Sequence, residues 1–506
     1  MHRTQEHVLV LDVGTTSTRA VLYGHESEVL ATTAQELGLE SSGGGRVEQD
    51  AEEIYERSVA VLREIAGQAQ GKGRRISTLA IAAQRTSTVL WDKRTGKPVA
   101  PVYSWQDTRT APLLDELRPT WGDRAALTTG MVLNCSTPLQ LSWMLRDPEL
   151  QRRAQAGELL AGTVDSWLVW RFTGGPAGGR HVTSASCAGS TGMLDLTTET
   201  WWSEFLDALQ VPTAMLAQVL PEDGDYGTAH TALAGVDAPI TGVVGDQQSA
   251  LFGQGGLAPG AVKCTHGTGS FIDFNIGSER IDKLVGLDCR VGWRTATSTA
   301  NVIEGGTFVS GSAVEWMIHK AELLTIASEL DATYDAADPR SGVVVVPTLA
   351  GFAAPHWDEA ARGAVFGMHR GTTRSDLVRA TVDGIAHTVA DLLETMSELA
   401  GVRPQALHVD GGLSKSDRLL QFQADILQVP VVRAANPGFV TALGAAHIAG
   451  LSSGLWADQA EAAANIHPER TFEPGAAQAE ISVRRAAWHD AVGRSLGWRD
   501  ADWAAA

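Results

Sequence analysis

A chain of 506 residues is far longer than one that needs disulfides or a structural metal to complete a core, and at ~150 residues per domain it holds about three units or two large ones. With 44% hydrophobic and 20% charged residues, and 53 glycines that follow no collagen-like period, the composition is that of a folded globular protein. Forty basic against 59 acidic residues give a net charge of −19, a field that repels nucleic acid phosphates and anionic lipid and leaves a small neutral substrate open.

The opening stretch, Met1 to Gly14, lacks the apolar core and small-residue cleavage site of a secretory leader, so a cytoplasmic chain is expected. Within it, Val8 to Val13 is apolar except for Asp12 and predicts a buried strand. Gly14-Thr15-Thr16-Ser17-Thr18 predicts a tight polar turn, and Arg19 to Tyr23 a second strand. From Ala51 to Gln68, Ile54, Val59, Leu62 and Ile65 recur at helical intervals, and Leu79 to Ala83 reads as a short buried strand. Trp167, Trp170, Trp201 and Trp202 suit helix packing and surface anchoring better than stacking on a ligand. Thr241 to Gly245 predicts another strand, ending at Asp246-Gln247-Gln248, and Gly253 to Gly260 reads as a hinge.

The first design then returns. Ala261 to Thr265 leads into His266-Gly267-Thr268-Gly269-Ser270 and then Phe271 to Ile276: a strand, a Gly-Thr turn and a strand. The most apolar later run, Val343 to Pro355, is broken by Pro347 and Gly351 and falls short of the ~18–20 residues needed to span a bilayer, so no membrane insertion is expected. Leu377, Thr381, Ile385, Val389 and Leu392 predict one long helix beginning near Ser375. Ala406 to Val409 predicts a strand closed by Asp410-Gly411-Gly412, with a helix starting near Ser414 or Ser416. The alanine-rich run from Leu443 to Leu451 predicts a helix able to approach a sheet closely. Helices alternating with short apolar strands give an α/β architecture, and the paired Gly-Thr turns suggest two similar lobes, 1–257 and 258–506, around a shared cleft.

The chemistry gathers at these turns. Asp12 ends the first strand beside a turn whose amides and hydroxyls can hold an anion, and an acid among phosphate-binding groups calls for a hard cation between them. Asp12 therefore suggests Mg²⁺ with ATP phosphates, although the same residue types also make an ordinary strand-to-turn junction. No GxxxxGK[ST], dinucleotide GxGxxG, HExxH or GxSxG pattern occurs, and Cys135, Cys187, Cys264 and Cys289 form no CxxC pair. An ATP site must come from the hairpin turns, with the Val409-Asp410-Gly411-Gly412 loop open either to the adenine and ribose or to the α-phosphate, and an ordinary β-to-α turn as its alternative.

As a set, LDVGTTSTRAVLY from Leu11, QRTSTVLWDKRTGKP from Gln84, SWQDTRT from Ser104, GDQQSALFGQ from Gly245, THGTGSFI from Thr265, EGGTFVSGSAVEW from Glu304 and DGGLSKSDRLLQFQADIL from Asp410 resemble the FGGY carbohydrate kinases. Within that family the likeness is greatest to the glycerol kinases. The resemblance implies two ribonuclease H-like lobes of the actin-like ATPase type, closing over ATP and a polyol or sugar, in a homodimer or homotetramer. It implies Asp246 as general base, and Arg85, Trp105, Gln247 and Phe271 beside Asp246 around the substrate. It also implies nucleotide contacts from Gly14, Thr15, Thr16, Ser17 and Arg19, from Gly267 and Thr268, from Gly311 and Glu315, and from Gly411, Gly412 and Ser416. Two positions depart from the glycerol-kinase pattern: Thr86 stands where a glutamate is expected, and Cys135 lies about where a tyrosine is expected. A lost ionised acceptor beside Arg85 would leave a donor unpaired and widen the pocket. The pattern therefore implies a kinase for glycerol or a related small polyol, with a ketose kinase, for a pentulose for example, and a non-catalytic nucleotide- and sugar-binding sensor as alternatives.

Overall fold

The computed structural model describes residues 6–282, 285–464 and 466–498. Strand β1 (Glu6–Val13) turns at Gly14 into β2 (Ser17–Tyr23), which pairs with β3 (Val29–Glu36), all antiparallel. Helix α1 (Ala51–Gly71) starts where the Asp50 carboxylate accepts from the amides of Glu52 and Glu53, and it leads to β4 (Arg75–Ala83), parallel to β1. After β5 (Thr228–Ala229), β6 (Ala238–Gly245) pairs parallel with β4 and runs straight into α2 (Asp246–Gly253). The strand order is β5-β6-β4-β1-β2-β3. Between β4 and β5 the chain inserts a five-stranded antiparallel sheet that also takes in 40–42 and 46–49.

The second lobe repeats this plan. β7 (Val262–His266) turns into β8 (Ser270–Gly277), and β9 (Asp288–Arg294) and β10 (Thr299–Thr307) extend the antiparallel side. Helix α3 (Gly311–His319) follows, then α4 (Arg374–Ala400), opened by a Thr373–Asp376 capping box. β11 (Leu407–Asp410) pairs parallel with β7, α5 (Asp417–Leu427) follows, and β12 (Val431–Ala434) pairs parallel with β11. After α6 (Val440–Ser452), β13 (Pro468–Phe472) closes the order β9-β10-β8-β7-β11-β12-β13. The first lobe thus holds three successive antiparallel strands and the second four, each continued by two parallel ones, and each first hairpin lies beside a parallel strand, with Asp12 opposite Ala82 and Thr265 opposite Asp410. Two such α/β lobes with mixed sheets flanked by helices are the ribonuclease H-like fold of the actin and sugar kinase type.

The unbroken apolar run of β1 has a physical reason: both faces of its sheet are covered. Leu9, Leu11 and Val13 pack toward Ile54, Leu62 and Ile65 of α1, while Val8 and Val10 pack toward Ala442, Ala445 and Ala449 of α6. Helix α6 comes late in the chain yet lies on the first sheet and against α2. A Cβ at Gly444 would lie 1.8 Å from the Ser249 carbonyl oxygen, and one at Gly253 2.2 Å from that of Val440. Backbone touches backbone at this crossing. The tryptophans expected partly as surface anchors are core residues: Trp167 and Trp170 are buried beside Trp91, Trp202 is buried beside Trp121, and Trp201 is half-buried. Among the described residues no helix is long and apolar enough to cross a membrane.

The α2–α6 crossing tolerates no added methyl, and overpacking of this kind costs about 1–3 kcal/mol. Gly444→Ala should lower Tm by several degrees in scanning calorimetry. Gly493→Ala, in a late helix where no atom lies within 4 Å of the added carbon, should leave Tm unchanged or slightly raised.

Candidate active site

Three turns meet where the lobes join. In the first, the Gly14 amide donates to the Ser17 carbonyl at 2.9 Å, and the buried glutamines Gln84 and Gln49 donate to the carbonyls of Gly14 and Thr15 at 3.1 and 2.8 Å. Leu37 donates to the carbonyl of Thr16. The Thr15 hydroxyl accepts from Trp105 Nε1 at 2.9 Å, and Arg19 reaches across to the Gly438 carbonyl of the second lobe. In the second turn, α3 begins directly on the loop: the Gly311 amide donates to the Gly267 carbonyl and that of Ser310 to the Thr268 carbonyl, each at 2.9 Å. A Cβ on Gly311 would lie 2.6 Å from that Gly267 oxygen. In the third, Gly411 has φ 89° and lies so close to His266 that a Cβ would be 2.5 Å from its carbonyl oxygen, whereas Gly412 faces open space. The second and third turns are therefore packed on one another, and only glycine fits Gly411.

Beside the turns runs an alternating series of charges. Asp246 heads α2, and its Oδ1 lies 3.4 Å from Arg85 Nε. Arg85 Nη1 donates to Glu304 Oε2 of β10 at 2.6 Å, joining the two lobes. Glu304 Oε1 lies 3.1 Å from Arg290 Nε, and Arg290 Nη2 donates to Asp288 at 2.6 Å. Nearby, fully buried Lys263 donates to Gln247 Oε1 at 2.7 Å and pairs with Asp273 at 2.8 Å. Burial alone would raise Glu304, but the guanidinium groups of Arg290 and Arg85 hold it at about 2. Asp246 is raised by burial against the opposing pull of Arg85. Asp12 is pushed up to about 6 by burial, with Arg19 opposing and Asp246 adding to the rise, and no hydrogen bond or ion pair among the described residues holds its carboxylate. Trp105 and Phe271, 48% and 47% exposed, are large apolar faces left uncovered beside this polar series.

The departures take a form the sequence does not show. Arg85 is not left without an acceptor, since Glu304 and Asp246 both serve it. Thr86 sits at φ 68°, a left-handed conformation that strains a β-branched residue, and its hydroxyl donates to the Ser190 carbonyl at 3.0 Å. Arg290 reaches the same carbonyl at 3.5 Å, so a cation stands beside Thr86. Cys135 is half-buried against a hydrophobic cluster of the first lobe, and the segment after it is tied to the site by Thr137 Oγ1 donating to the Thr86 carbonyl. Glu315 is exposed and pairs with His319 at 3.1 Å. Ser416 caps α5 and donates its hydroxyl to Asp331. Sequence reasoning passed over Glu304, Arg290, Lys263 and Asp273. Alternation along β8 and β10 was their one local signal: Asp273 and Glu304 interrupt apolar strands and are register partners.

Duplicated lobes with a glycine-threonine turn from each, and a carboxylate held against an arginine between them, define a phosphotransferase of the actin-like fold. The comparisons agree. The N-terminal domain model of the FGGY family of carbohydrate kinases matches residues 7–253 and its C-terminal domain model residues 262–453. The chain is 40% identical over 504 residues to a glycerol kinase of Dechloromonas aromatica, covering 99% of both chains, and 38% identical to glycerol kinase 2 of Thermotoga maritima, covering 97% of this chain and 99% of that one. Among solved structures, glycerol kinase of Plasmodium falciparum with ADP superposes with a TM-score of 0.93 at 26% identity, covering 97% of this chain and 98% of that one. Xylulose kinase of Lactobacillus acidophilus shares the fold, with a TM-score of 0.83 at 22% identity over 97% and 99%. This chain belongs to the FGGY family of carbohydrate kinases, and its reaction is ATP-dependent phosphoryl transfer to a small polyol or sugar.

The half-buried Asp12 supplies a test of the site's electrostatics. Its folded pKa of about 6 exceeds the ordinary 3.8, so its contribution favours folding below about pH 4 and is lost as pH rises through 6. Asp12→Asn should therefore match the wild type in Tm near pH 4 and exceed it by a few degrees at pH 7.5, measured without ligands.

Proposed function

We propose that this enzyme phosphorylates a terminal hydroxyl of glycerol or a related small neutral polyol, with Asp246 as the general base. The observation that carries the reading is the Asp246–Arg85–Glu304 series beside the exposed rings of Trp105 and Phe271. Arg85, Arg290 and Lys263 are each matched by carboxylates, so the site offers no surplus positive charge to an acidic substrate and suits a neutral one. The two aromatic faces would receive the carbon chain, and Arg85 and Gln247 the hydroxyls. The substrate names of the curated relatives point the same way.

In this reading Arg85 holds Asp246 in place while its carboxylate takes the proton from the attacking hydroxyl, a task for which positioning and charge matter more than covalent chemistry. Thr15, Arg19 and Thr268 would receive the phosphates of ATP, and Gly267, Gly311, Gly411 and Gly412 would let the nucleotide approach the backbone. Gly14, Thr16 and Ser17 shape the first turn. Glu315 and Ser416 stand aside, each already engaged with His319 or Asp331. Asp12 fits a hard divalent cation: its carboxylate is half-buried, close enough to Asp246 to be raised by it, and without a bonded partner. It would hold Mg²⁺, which when bound supplies charge neutralisation at the phosphates.

A longer substrate, a four- or five-carbon polyol or a pentulose, is the second reading. Thr86 favours it, because a side chain shorter than glutamate, with its hydroxyl turned to the Ser190 carbonyl, leaves more room beside Arg85. An ADP-release assay over polyols, ketoses and aldonates separates the two. Asp246→Asn should lower kcat at least ~10²-fold on the preferred substrate while ATP affinity stays within a few-fold; a folded variant keeping more than a tenth of its rate would remove Asp246 as the base. Thr86→Glu should raise kcat/KM for glycerol and lower it for a longer polyol, if the longer substrate is the true one. Loss of glycerol activity in that variant, from a wild type that prefers glycerol, would eliminate the second reading.

A further inference from the structure

Lys263 is fully buried on β7, the central strand of the second lobe's sheet. An ammonium withdrawn from water is costly unless it is paired and hydrogen-bonded. Asp273 meets that need at 2.8 Å, and the two are register partners across β7 and β8. The same row continues through Glu304 of β10 to Asp288 of β9, so charged residues stand abreast across the sheet. Glu304 reaches the first lobe through Arg85, which lies beside Asp246. Lys263, at the end of the row, reaches it directly by donating to Gln247 Oε1 at 2.7 Å. The two residues that open α2, Asp246 and Gln247, are thus both tied to one row of the opposite lobe.

The Lys263 contact fixes more than a distance. An ammonium only donates, so the amide atom of Gln247 that faces it must be the carbonyl oxygen, and the planar amide carries its NH₂ on the other side. Gln247 is half-buried, and its Nε2 has no acceptor among the described residues and, unlike Lys263, is not sealed from solvent. Without the ammonium the amide would be free to turn over and present an acceptor in place of a donor. Lys263 could also act at a distance, since its charge opposes the rise of the Asp246 carboxyl. The two roles differ in what they change: orientation of Gln247 alters the binding of a substrate hydroxyl, whereas a charge felt by Asp246 alters the base.

We propose that Lys263 is a positioning residue of this kinase: from the second lobe it holds the Gln247 amide with its NH₂ turned to the substrate, as a fixed hydrogen-bond donor to a substrate hydroxyl. The proposal rests on the substrate role given to Gln247.

Initial rates of the full chain over a range of glycerol at saturating MgATP decide it, with xylitol in place of glycerol should the ADP-release assay favour a five-carbon chain. Lys263→Met keeps nearly the length of the side chain and removes its donors; it should raise KM for the polyol about fivefold while kcat stays within about threefold. Gln247→Ala should raise KM about tenfold. Introduced into the Gln247→Ala protein, Lys263→Met should change KM by less than about twofold, because no amide is left to orient. Where the single variant folds poorly, with Asp273 left buried and unpaired, Lys263→Met/Asp273→Leu removes both charges and should show the same rise in KM. A lower Tm with unchanged KM would reduce Lys263 to a tie between lobes and overturn the proposal. So would a fall in kcat that persists in the Gln247→Ala protein, the mark of a charge acting on Asp246 itself. Wild-type KM in Gln247→Ala would instead fault the substrate role of Gln247, and a wild type that phosphorylates no polyol would fault the proposed function; in either case the role of Lys263 falls with its premise.

Discussion

The ion pair between Arg85 and Glu304 is the contact on which the site depends. Arg85 follows the central parallel strand of the first lobe and Glu304 lies on an antiparallel strand of the second, so one 2.6 Å contact fixes the lobes at the point where a substrate would lie. Both side chains are largely withdrawn from water, and removing either would leave its partner charged and poorly solvated. The neighbours address this: Asp246 attends Arg85 on one side, and Arg290 with Asp288 attends Glu304 on the other. Alternation of sign along the series lets several buried charges coexist. It also holds Asp246 close to a cation, whereas Asp12 feels Arg19 only at a distance, with no ion pair formed.

A second constraint is the close approach of helices around the hinge. Helix α6 returns from the second half of the chain to cover the first sheet, and it can do so because Gly444, Gly253 and a row of alanines allow near-contact of backbones. The hinge residues after α2 lie beside this crossing. Gln254 extends from it to Asp410, so the segment after α2 and the Gly411-Gly412 turn share one side chain.

The pocket around Thr86 shows how the meaning of a substitution depends on its surroundings. Read alone, threonine in place of glutamate removes an acceptor beside an arginine. In the folded protein Arg85 draws on Glu304 and Asp246, Thr86 turns its hydroxyl to Ser190, and Arg290 comes up beside it. The change therefore leaves no donor unpaired: Arg85 keeps two carboxylate partners, and the Thr86 hydroxyl is spent on a backbone carbonyl. Strained backbone at Thr86 places that residue in a conformation glycine or asparagine would adopt more easily, which marks the position as one held by its neighbours.

Local pattern carried much of this protein. The apolar run of β1, the helical intervals of α1 and α4 and the strand-turn-strand design at Gly14 and Gly267 were legible because backbone preference and solvent exposure act over a few residues. The motif set around Asp12, Asp246 and Asp410 pointed to the family for the same reason: each turn needs its own glycines and hydroxyls in place. Tertiary structure alone decided the partners. Glu304 lies 219 residues beyond Arg85, and Gly438 lies 419 beyond Arg19, so neither pairing leaves a local trace. Burial of the tryptophans and the capture of the Ser416 hydroxyl by Asp331 likewise arise only when distant segments meet. A short sequence encodes which conformations are cheap, whereas the electrostatics of a buried site depend on which charges the fold brings within a few ångströms.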